Sequence, residues 1–287
     1  MSTKTSLSHR NQEPENSVLY LVGTPIGNLD DISLRAIKIL KNVSLIACED
    51  TRQTIKLMNK LGIKNKLISF NDHNSCKKIP KLINDLKEGK SIALVSDAGM
   101  PIICDPGEDL VKNVKSNGID VICIPGPSAA LTALVSSGMA SSSFNFEGFL
   151  PKKKNEREKI LFKICESEKT TVLFESPHRL NRLLEELKEF CGGDREIQVS
   201  RELTKKFEEN IYDNIYGLIE TFRGREIIGE ITVVIKARNK LKNSKINEFV
   251  LKKELNELIT AGLSLSAASS YLAKKKNLKK SIIYNLH

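Results

Sequence analysis

The sequence predicts two consecutive α/β domains followed by a small helical module, and three observations carry that reading. Before residue 140, short runs of branched apolar residues alternate four times with helix-length segments, the rhythm of a parallel sheet covered by helices. The pattern resumes after the serine run at 141–143 and the F-L-P-K-K-K segment at 149–154, with further strands and helices up to residue 238. Beyond Arg238 strand patterns cease and three short helical stretches follow. The expected organisation is a polar, mobile tail over 1–16, a first α/β domain over 17–140, a second over 141–238 and a basic helical module over 239–287.

The first strand is the apolar run 18–22, which ends in G-T-P-I-G-N-L-D-D at 23–31. Two glycines around a proline let backbone approach a ligand closely while the turn stays stiff. Ser33 opens a helix with apolar positions 34, 37 and 40 on one face. A strand at 43–47 leads to the charged group E-D-T-R at 49–52, and a strand at 67–70 leads to N-D-H-N at 71–74. The strand at 92–95 stops at S-D-A-G-M-P, 96–101, and Asp105-Pro106-Gly107-Glu108 starts another helix. Last, 121–124 delivers P-G-P-S-A-A at 125–130, where Ser128 is suited to cap a helix over 130–136. Ligands in open α/β sheets bind at the carboxyl ends of strands, so each of these clusters is a candidate site segment. Neither a P-loop nor a dinucleotide fingerprint is present.

In the second domain a helix at 157–165 leads to a strand at 170–174 ending in E-S-P-H-R, 175–179. A helix at 180–190 and a strand at 197–200 follow, the latter ending in R-E-L-T-K, 201–205, and Gly229-Glu230 turns into a strand at 231–235. The helical module places Leu251, Leu255, Leu258 and Ile259 on one face of 249–259, stops at Gly262, and continues with 264–272 and 280–286, spaced like a helix-turn-helix.

Composition narrows the partners. The 287 residues are 40% hydrophobic and 28% charged, ordinary for a globular protein, and no apolar stretch reaches the length of a membrane span. The tail lacks the apolar core of a signal peptide, which points to the cytoplasm. Six cysteines are scattered without a C-x-x-C pair or histidines at ligand spacing, which argues against zinc and against a disulfide framework; no metal is expected. The formal charge is +10, and residues 236–287 hold twelve Lys or Arg against three Glu, leaving the first 235 residues nearly neutral. A concentrated basic segment beside a near-neutral domain favours a polyanion, nucleic acid before membrane.

Six motifs in order, G-T-P-I-G-N-L-D-D, E-D-T-R, S-D-A-G-M-P-I-I-C-D-P-G, P-G-P-S-A, F-E-S-P-H-R and R-E-L-T-K, resemble the tetrapyrrole methylase superfamily, and more narrowly its ribosomal RNA-modifying branch. The likeness runs from about residue 18 to the C-terminus. Met100 and Cys104 depart from it, standing where Thr and Ser are expected, and F-N-D-H-N at 70–74 varies a more acidic pattern, which leaves His73 without an assigned role.

The resemblance implies two α/β domains with S-adenosylmethionine held in the cleft between them, commonly in a homodimer. It also implies transfer of the methyl group to the ribose 2′-hydroxyl of a cytidine in the decoding region of 16S rRNA, within the small ribosomal subunit. Gly23, Thr24, Pro25, Ser96, Asp97, Ala98, Gly99, Pro101, Ser128, Ala129, Leu203, Thr204, Gly229, Glu230, Ile231 and Thr232 would wrap the donor, mainly through main-chain groups. A ribose hydroxyl attacks well only as its proton leaves, help worth roughly 10²–10⁴-fold. Glu49, Asp50, Glu175 and Glu202 are the candidate bases, with a structural ion-pair network as the competing role. Arg52, Arg179, Arg201 and Lys205 are candidate phosphate anchors, joined by Lys274, Lys275, Lys276, Lys279 and Lys280 of the module. A methyltransferase acting on a tetrapyrrole and a non-catalytic RNA-binding protein stay open as alternatives.

Overall fold

The computed structural model describes residues 13–238, 248–276 and 278–287. They divide into two compact units. The first holds residues 13–132 and, from far along the chain, Leu203–Lys206; the second holds the rest, beginning at Ala133.

In the first unit β1 (Val18–Val22), β2 (Leu45–Cys48), β3 (Leu67–Ser69), β4 (Ile92–Val95) and β5 (Asp120–Ile124) form one sheet in the order β3-β2-β4-β1-β5. Every pairing is parallel, as the continuous apolar runs predict. Side chains two apart share a face. Tyr20, Val22, Ile46, Cys48, Ala93 and Val95 pack with Ala36, Ile39 and Leu40 of α1 (Leu34–Asn42) and Met58 of α2 (Thr51–Lys60). Leu19, Ala47, Ile92 and Leu94 pack with Leu82 and Leu86 of α3 (Ser75–Lys87) and Leu110 and Val114 of α4 (Glu108–Ser116). The two central strands, β1 and β4, send their connections to opposite sides of the sheet, β1 toward β2 and β4 toward β5. Their carboxyl ends thus meet where the chain's winding reverses, the customary ligand position in such sheets.

In the second unit β6 (Phe144–Phe149), β7 (Thr170–Glu175), β8 (Glu196–Arg201), β9 (Glu209–Asn214) and β10 (Ile231–Ile235) run in the order β6-β7-β10-β8-β9. Only β6 and β7 are parallel; the other pairings are antiparallel. Leu173, Val199 and Val233 on one face meet Leu161 and Ile164 of α6 (Lys154–Glu166), Leu183, Leu184 and Leu187 of α7 (Pro177–Cys191), and Leu218 and Phe222 of α8 (Ile215–Phe222).

Four expectations need correction. The division falls at Thr132, inside α5 (Ala129–Ser136), not at residue 140. The second unit gains β6 from the stretch read as a boundary, because Phe146 and Phe174 meet edge to face at 5.1 Å across the β6–β7 pair. It also gains β9, whose polar sequence hid an edge strand. The tail falls mostly outside the described residues, but 13–16 are held: Glu13 is buried and accepts from Arg35 at 2.7 and 2.5 Å, and the Glu15 N–H donates to the Tyr20 hydroxyl at 2.7 Å.

The first residues of the helical module, 239–247, lie outside the described residues. The rest forms α9 (Glu248–Thr260), α10 (Leu265–Lys276) and α11 (Lys280–Tyr284) around a small core of Leu255, Ala268, Leu272, Ala273 and Ile283. It is seated on the second unit: Val250 joins that unit's core, Phe249 meets Phe190 of α7 edge to face at 5.7 Å, and Lys253 pairs with Glu158 of α6.

Candidate active site

The strand ends of the first unit come together through backbone. Thr24 and Gly99 form a two-bond bridge, Thr24 N–H to Gly99 carbonyl at 2.9 Å and Gly99 N–H to Thr24 carbonyl at 3.1 Å. This ties the loop after β1 to the loop after β4. The loop after β5 closes from the other side: the Gly23 N–H donates to the Ile124 carbonyl at 3.1 Å, and a Cβ on Gly23 would lie 2.7 Å from both the Gly126 Cα and the Met100 sulfur. Glycine at 23 is therefore a requirement of close approach. Gly23, Thr24, Ser96 and Gly99, four of the proposed donor-binding residues, thus belong to one backbone cluster, and Ser128 and Ala129 open α5 at the end of the third loop. Met100 lies against it, which gives that departure from the expected threonine a definite place.

The 96–107 loop that carries Met100 and Cys104 is wound unusually. Ile102 and Cys104 have positive φ, 78° and 66°, and Gly107 is at 138°, where a Cβ would strike Leu94 at 2.7 Å. Two side-chain-bearing residues in a left-handed conformation mark strain that the surrounding structure must hold. The turn returns Asp105 to the neighbourhood of Ser96, whose hydroxyl donates to the carbonyls of Ala98 at 3.2 Å and Gly99 at 3.4 Å.

An acidic set stands beside this backbone cluster. The Asp50 N–H donates to Asp97 at 3.1 Å, joining the β2 and β4 ends. Burial pushes Asp105 up to about 6, Asp97 adding to it against the Ser96 hydroxyl. Glu49 is raised by burial and then by the charges of Asp105, Asp97 and Asp72, and Asp97 itself is raised chiefly by burial. Carboxylates that crowd one another and lose solvent suit a cationic ligand, which would restore their ordinary acidity. Asp105 lies within one of the quoted motifs, but nothing local to it marks it as a member of the acidic set.

The four candidate bases separate. Asp50 caps α2 by accepting from the Arg52 N–H at 2.8 Å, and its ion pair with Arg52, 2.7 Å, holds it near 2, too acidic to take a proton readily. Glu175 is fully buried between Arg157 at 3.2 Å and Arg179 at 2.5 Å, a structural pairing in place of the expected catalytic one. Glu202, at φ 52°, accepts from the Glu230 N–H at 2.9 Å and covers Gly229, so it braces the turn before β10. Only Glu49 combines partial exposure with a raised pKa.

Several remaining candidates prove internally engaged. Arg179 serves Glu175, and Arg201 pairs with Glu209 at 3.0 Å. Leu203 and Thr204 belong to the first unit, where the Thr204 hydroxyl accepts from the Asn28 N–H at 3.0 Å and Lys205 lies over Gly27. Gly229 and Glu230 form a turn in the second unit, and Ile231 and Thr232 are buried in β10. Lys275 and Lys276 pair with Glu254, whereas Lys274 and Lys279 are exposed and Lys280 donates to the Ser266 hydroxyl. His73 is exposed in the turn before α3. Among the described residues no group of His, Cys, Asp and Glu is arranged to hold a metal, and no helix is long and apolar enough to cross a membrane.

Residues 18–218 match the family described as Tetrapyrrole (Corrin/Porphyrin) Methylases, and the chain belongs to that family. Its relatives narrow the class. It is 47% identical over 220 residues to the Ribosomal RNA small subunit methyltransferase I of Thermotoga maritima, covering 77% of this chain and 98% of the relative. It is 39% identical over 287 residues to the protein of the same name from Halalkalibacterium halodurans, covering 99% of each. The fold is shared with a uroporphyrin-III C-methyltransferase from Thermus thermophilus complexed with S-adenyl homocysteine, with a TM-score of 0.53 at 14% identity over 75% of this chain and 96% of that one.

Proposed function

We propose that the chain is an S-adenosylmethionine-dependent methyltransferase that modifies the ribose 2′-hydroxyl of a cytidine in the decoding region of 16S rRNA. The observation that carries this reading is likeness along the whole chain, C-terminal module included, to a protein named for methylating small-subunit ribosomal RNA. The acceptor is the rRNA of the small ribosomal subunit, the place of action the cytoplasm, and the working form a homodimer.

The donor's chemistry is an electrophilic methyl on a positively charged sulfur. The first unit suits such a group on two counts: tightly apposed glycines let backbone approach a ligand with no side chain between, and two carboxylates with raised pKa, Asp97 and Asp105, await positive charge. Gly23 to Pro25, Ser96 to Gly99, Pro101, Ser128 and Ala129 hold it, with Asp97 as the principal polar contact, while Leu203 and Thr204 brace the Gly27–Asn28 turn. Alignment of the hydroxyl with the methyl is most of what such a protein supplies. Glu49 takes the hydroxyl proton, since it is partly exposed and its pKa is raised toward the working pH. Arg52, Lys205, Lys274, Lys279 and Lys280 anchor phosphates.

The deciding experiment supplies tritiated donor to the purified protein with small ribosomal subunits, naked 16S rRNA or a tetrapyrrole. Label mapping to a ribose in the decoding region is expected. Label on a base, label on the tetrapyrrole alone, or none overturns the reading.

A further inference from the structure

Away from the methyl-transfer site, the second unit brings two of the six cysteines together. Cys165 is on the last turn of α6 and Cys191 ends α7, helices that pack side by side in the same core. The Cys165 thiol donates to the carbonyl of Phe190 at 2.6 Å, which sets its sulfur beside the following residue, Cys191. The other four cysteines lie elsewhere: Cys48 is buried in β2, and Cys76, Cys104 and Cys123 are exposed on the first unit.

The pair stands at the wall of a cavity that carries acidic and basic side chains in nearly equal number, with Cys165 buried and Cys191 half-buried. Arg195 clamps the helix end, donating to the Cys165 carbonyl at 2.9 Å and to the Lys236 carbonyl at 2.9 Å, and Arg238 pairs with Glu166 at 2.6 Å. Cys165 and Cys191 both line this cavity, of about 1340 Å³, shared with Tyr212, Tyr216 and Arg238. The neighbouring Cys191 thiol and then the charge of Arg195 lower the pKa of Cys165 against the effect of its burial, and that of Cys191 is raised, so Cys165 is the more readily deprotonated of the two. Gly192 follows Cys191 at φ 78° with open space around it, so the α7 end can adjust as a bond of about 2.05 Å forms.

We propose that Cys165 and Cys191 form a dithiol site that reacts with small-molecule disulfides and closes into an intramolecular disulfide. Cys165 gives its proton to solvent and its thiolate attacks one sulfur of the incoming disulfide, forming a mixed disulfide and expelling one thiolate, which takes a proton from solvent. Cys191 then gives its proton to solvent and attacks the Cys165 sulfur, expelling the second thiolate. The protein dithiol is oxidised by two electrons and the small disulfide is reduced to two thiols. Phe190, next to Cys191, is the residue on which Phe249 of α9 rests, so the new bond forms beside the seat of the C-terminal helices.

The test incubates the full chain with oxidised glutathione, alkylates remaining thiols, digests without reduction and maps the products by mass spectrometry. The expected result is a linked pair of peptides carrying Cys165 and Cys191, about 2 Da lighter than the two reduced peptides. Exposed Cys76 should carry only a glutathione adduct. In Cys191→Ser the reaction should stop at glutathione on Cys165, and because the wild-type linkage is read separately, a poorly folded variant does not blunt the test. A stable glutathione adduct on either residue of the wild-type pair overturns the proposal. So does a pair left alkylatable under conditions that modify Cys76.

Discussion

Arg157 and Glu175 form an ion pair at 3.2 Å in which neither side chain is more than 2% exposed. Arg157 also reaches Glu186 at 2.6 Å, and Glu175 is held from its other side by Arg179, so α6, β7 and α7 share one buried network. Removing one member of a buried pair strands its partner's charge, at a cost of about 3–5 kcal/mol. Arg157→Met should therefore lower unfolding free energy by about 3 kcal/mol, the lower end because Arg179 stays with Glu175. Urea denaturation reads this. Glu175→Gln should also destabilise, yet leave methyl transfer per folded molecule unchanged; lost turnover with intact folding would return Glu175 to the candidate bases.

Glycine at 27 is fixed by residues far along the chain. A Cβ there would meet the Lys205 Cγ at 2.5 Å, the Thr204 hydroxyl at 2.7 Å and the Leu203 carbonyl at 3.1 Å. The lysine can swing away but the backbone carbonyl cannot. Gly27→Ala should therefore lift the segment Leu203–Lys206 and break the Asn28–Thr204 hydrogen bond. Limited trypsin digestion should show faster cleavage after Lys205 and Lys206 than in wild type, with the remaining sites unaffected.

Asp105 gives the pH dependence a sign. Its pKa in the folded chain, about 6, lies above the ordinary 3.8, so the fold prefers the protonated carboxyl. Its contribution to stability is full below about pH 4 and is lost as pH rises through about 6. Asp105→Asn should remove that decline, raising Tm at pH 7 relative to wild type while leaving Tm at pH 4 little changed. Melting curves across this range check it, and an unchanged slope would place the pH dependence elsewhere.

For proton removal the contrast lies between adjacent residues. Glu49→Gln should slow single-turnover methyl transfer by roughly 10²–10⁴-fold while donor affinity changes little. Asp50→Asn removes the capping charge beside Arg52 but keeps a side-chain oxygen that can cap α2, so it should lower Tm only slightly, with turnover nearly intact. Equal loss in both variants would argue for an electrostatic role of the whole acidic set.

The parallel sheet was legible because buried strands write themselves as apolar runs, and 18–22, 92–95 and 121–124 each appear within a residue of β1, β4 and β5. β9 was not, since an edge strand such as Glu209–Asn214 buries little and keeps polar side chains. The loops of the site were legible as glycine-rich and charged clusters, but not their pairings. Nothing local in R-E-L-T-K says that Thr204 will meet Asn28, or that Asp50 will spend its charge on Arg52 and Glu175 on two arginines. Burial and ion pairing are tertiary facts, and they decide which carboxylate is available for chemistry.

The lysines of α10 and its surroundings divide in the same way. Lys276 lies 2.8 Å from Glu254 and its ammonium sits 5.7 Å from the centre of the Phe162 ring, so it helps seat the module on α6. Lys274 and Lys279 are exposed. Contacts to phosphate release counterions, and each one lost reduces the dependence of log affinity on log salt by about 0.7–0.9. Lys274→Gln with Lys279→Gln should weaken binding to small ribosomal subunits at low salt and flatten that slope by about 1.5, with Tm unchanged. Lys276→Gln should instead lower Tm and leave the slope nearly as it was. Filter-binding titrations from 50 to 200 mM salt, paired with melting curves, separate the two effects, and a slope unaffected by the double substitution would show that RNA is held by other cations.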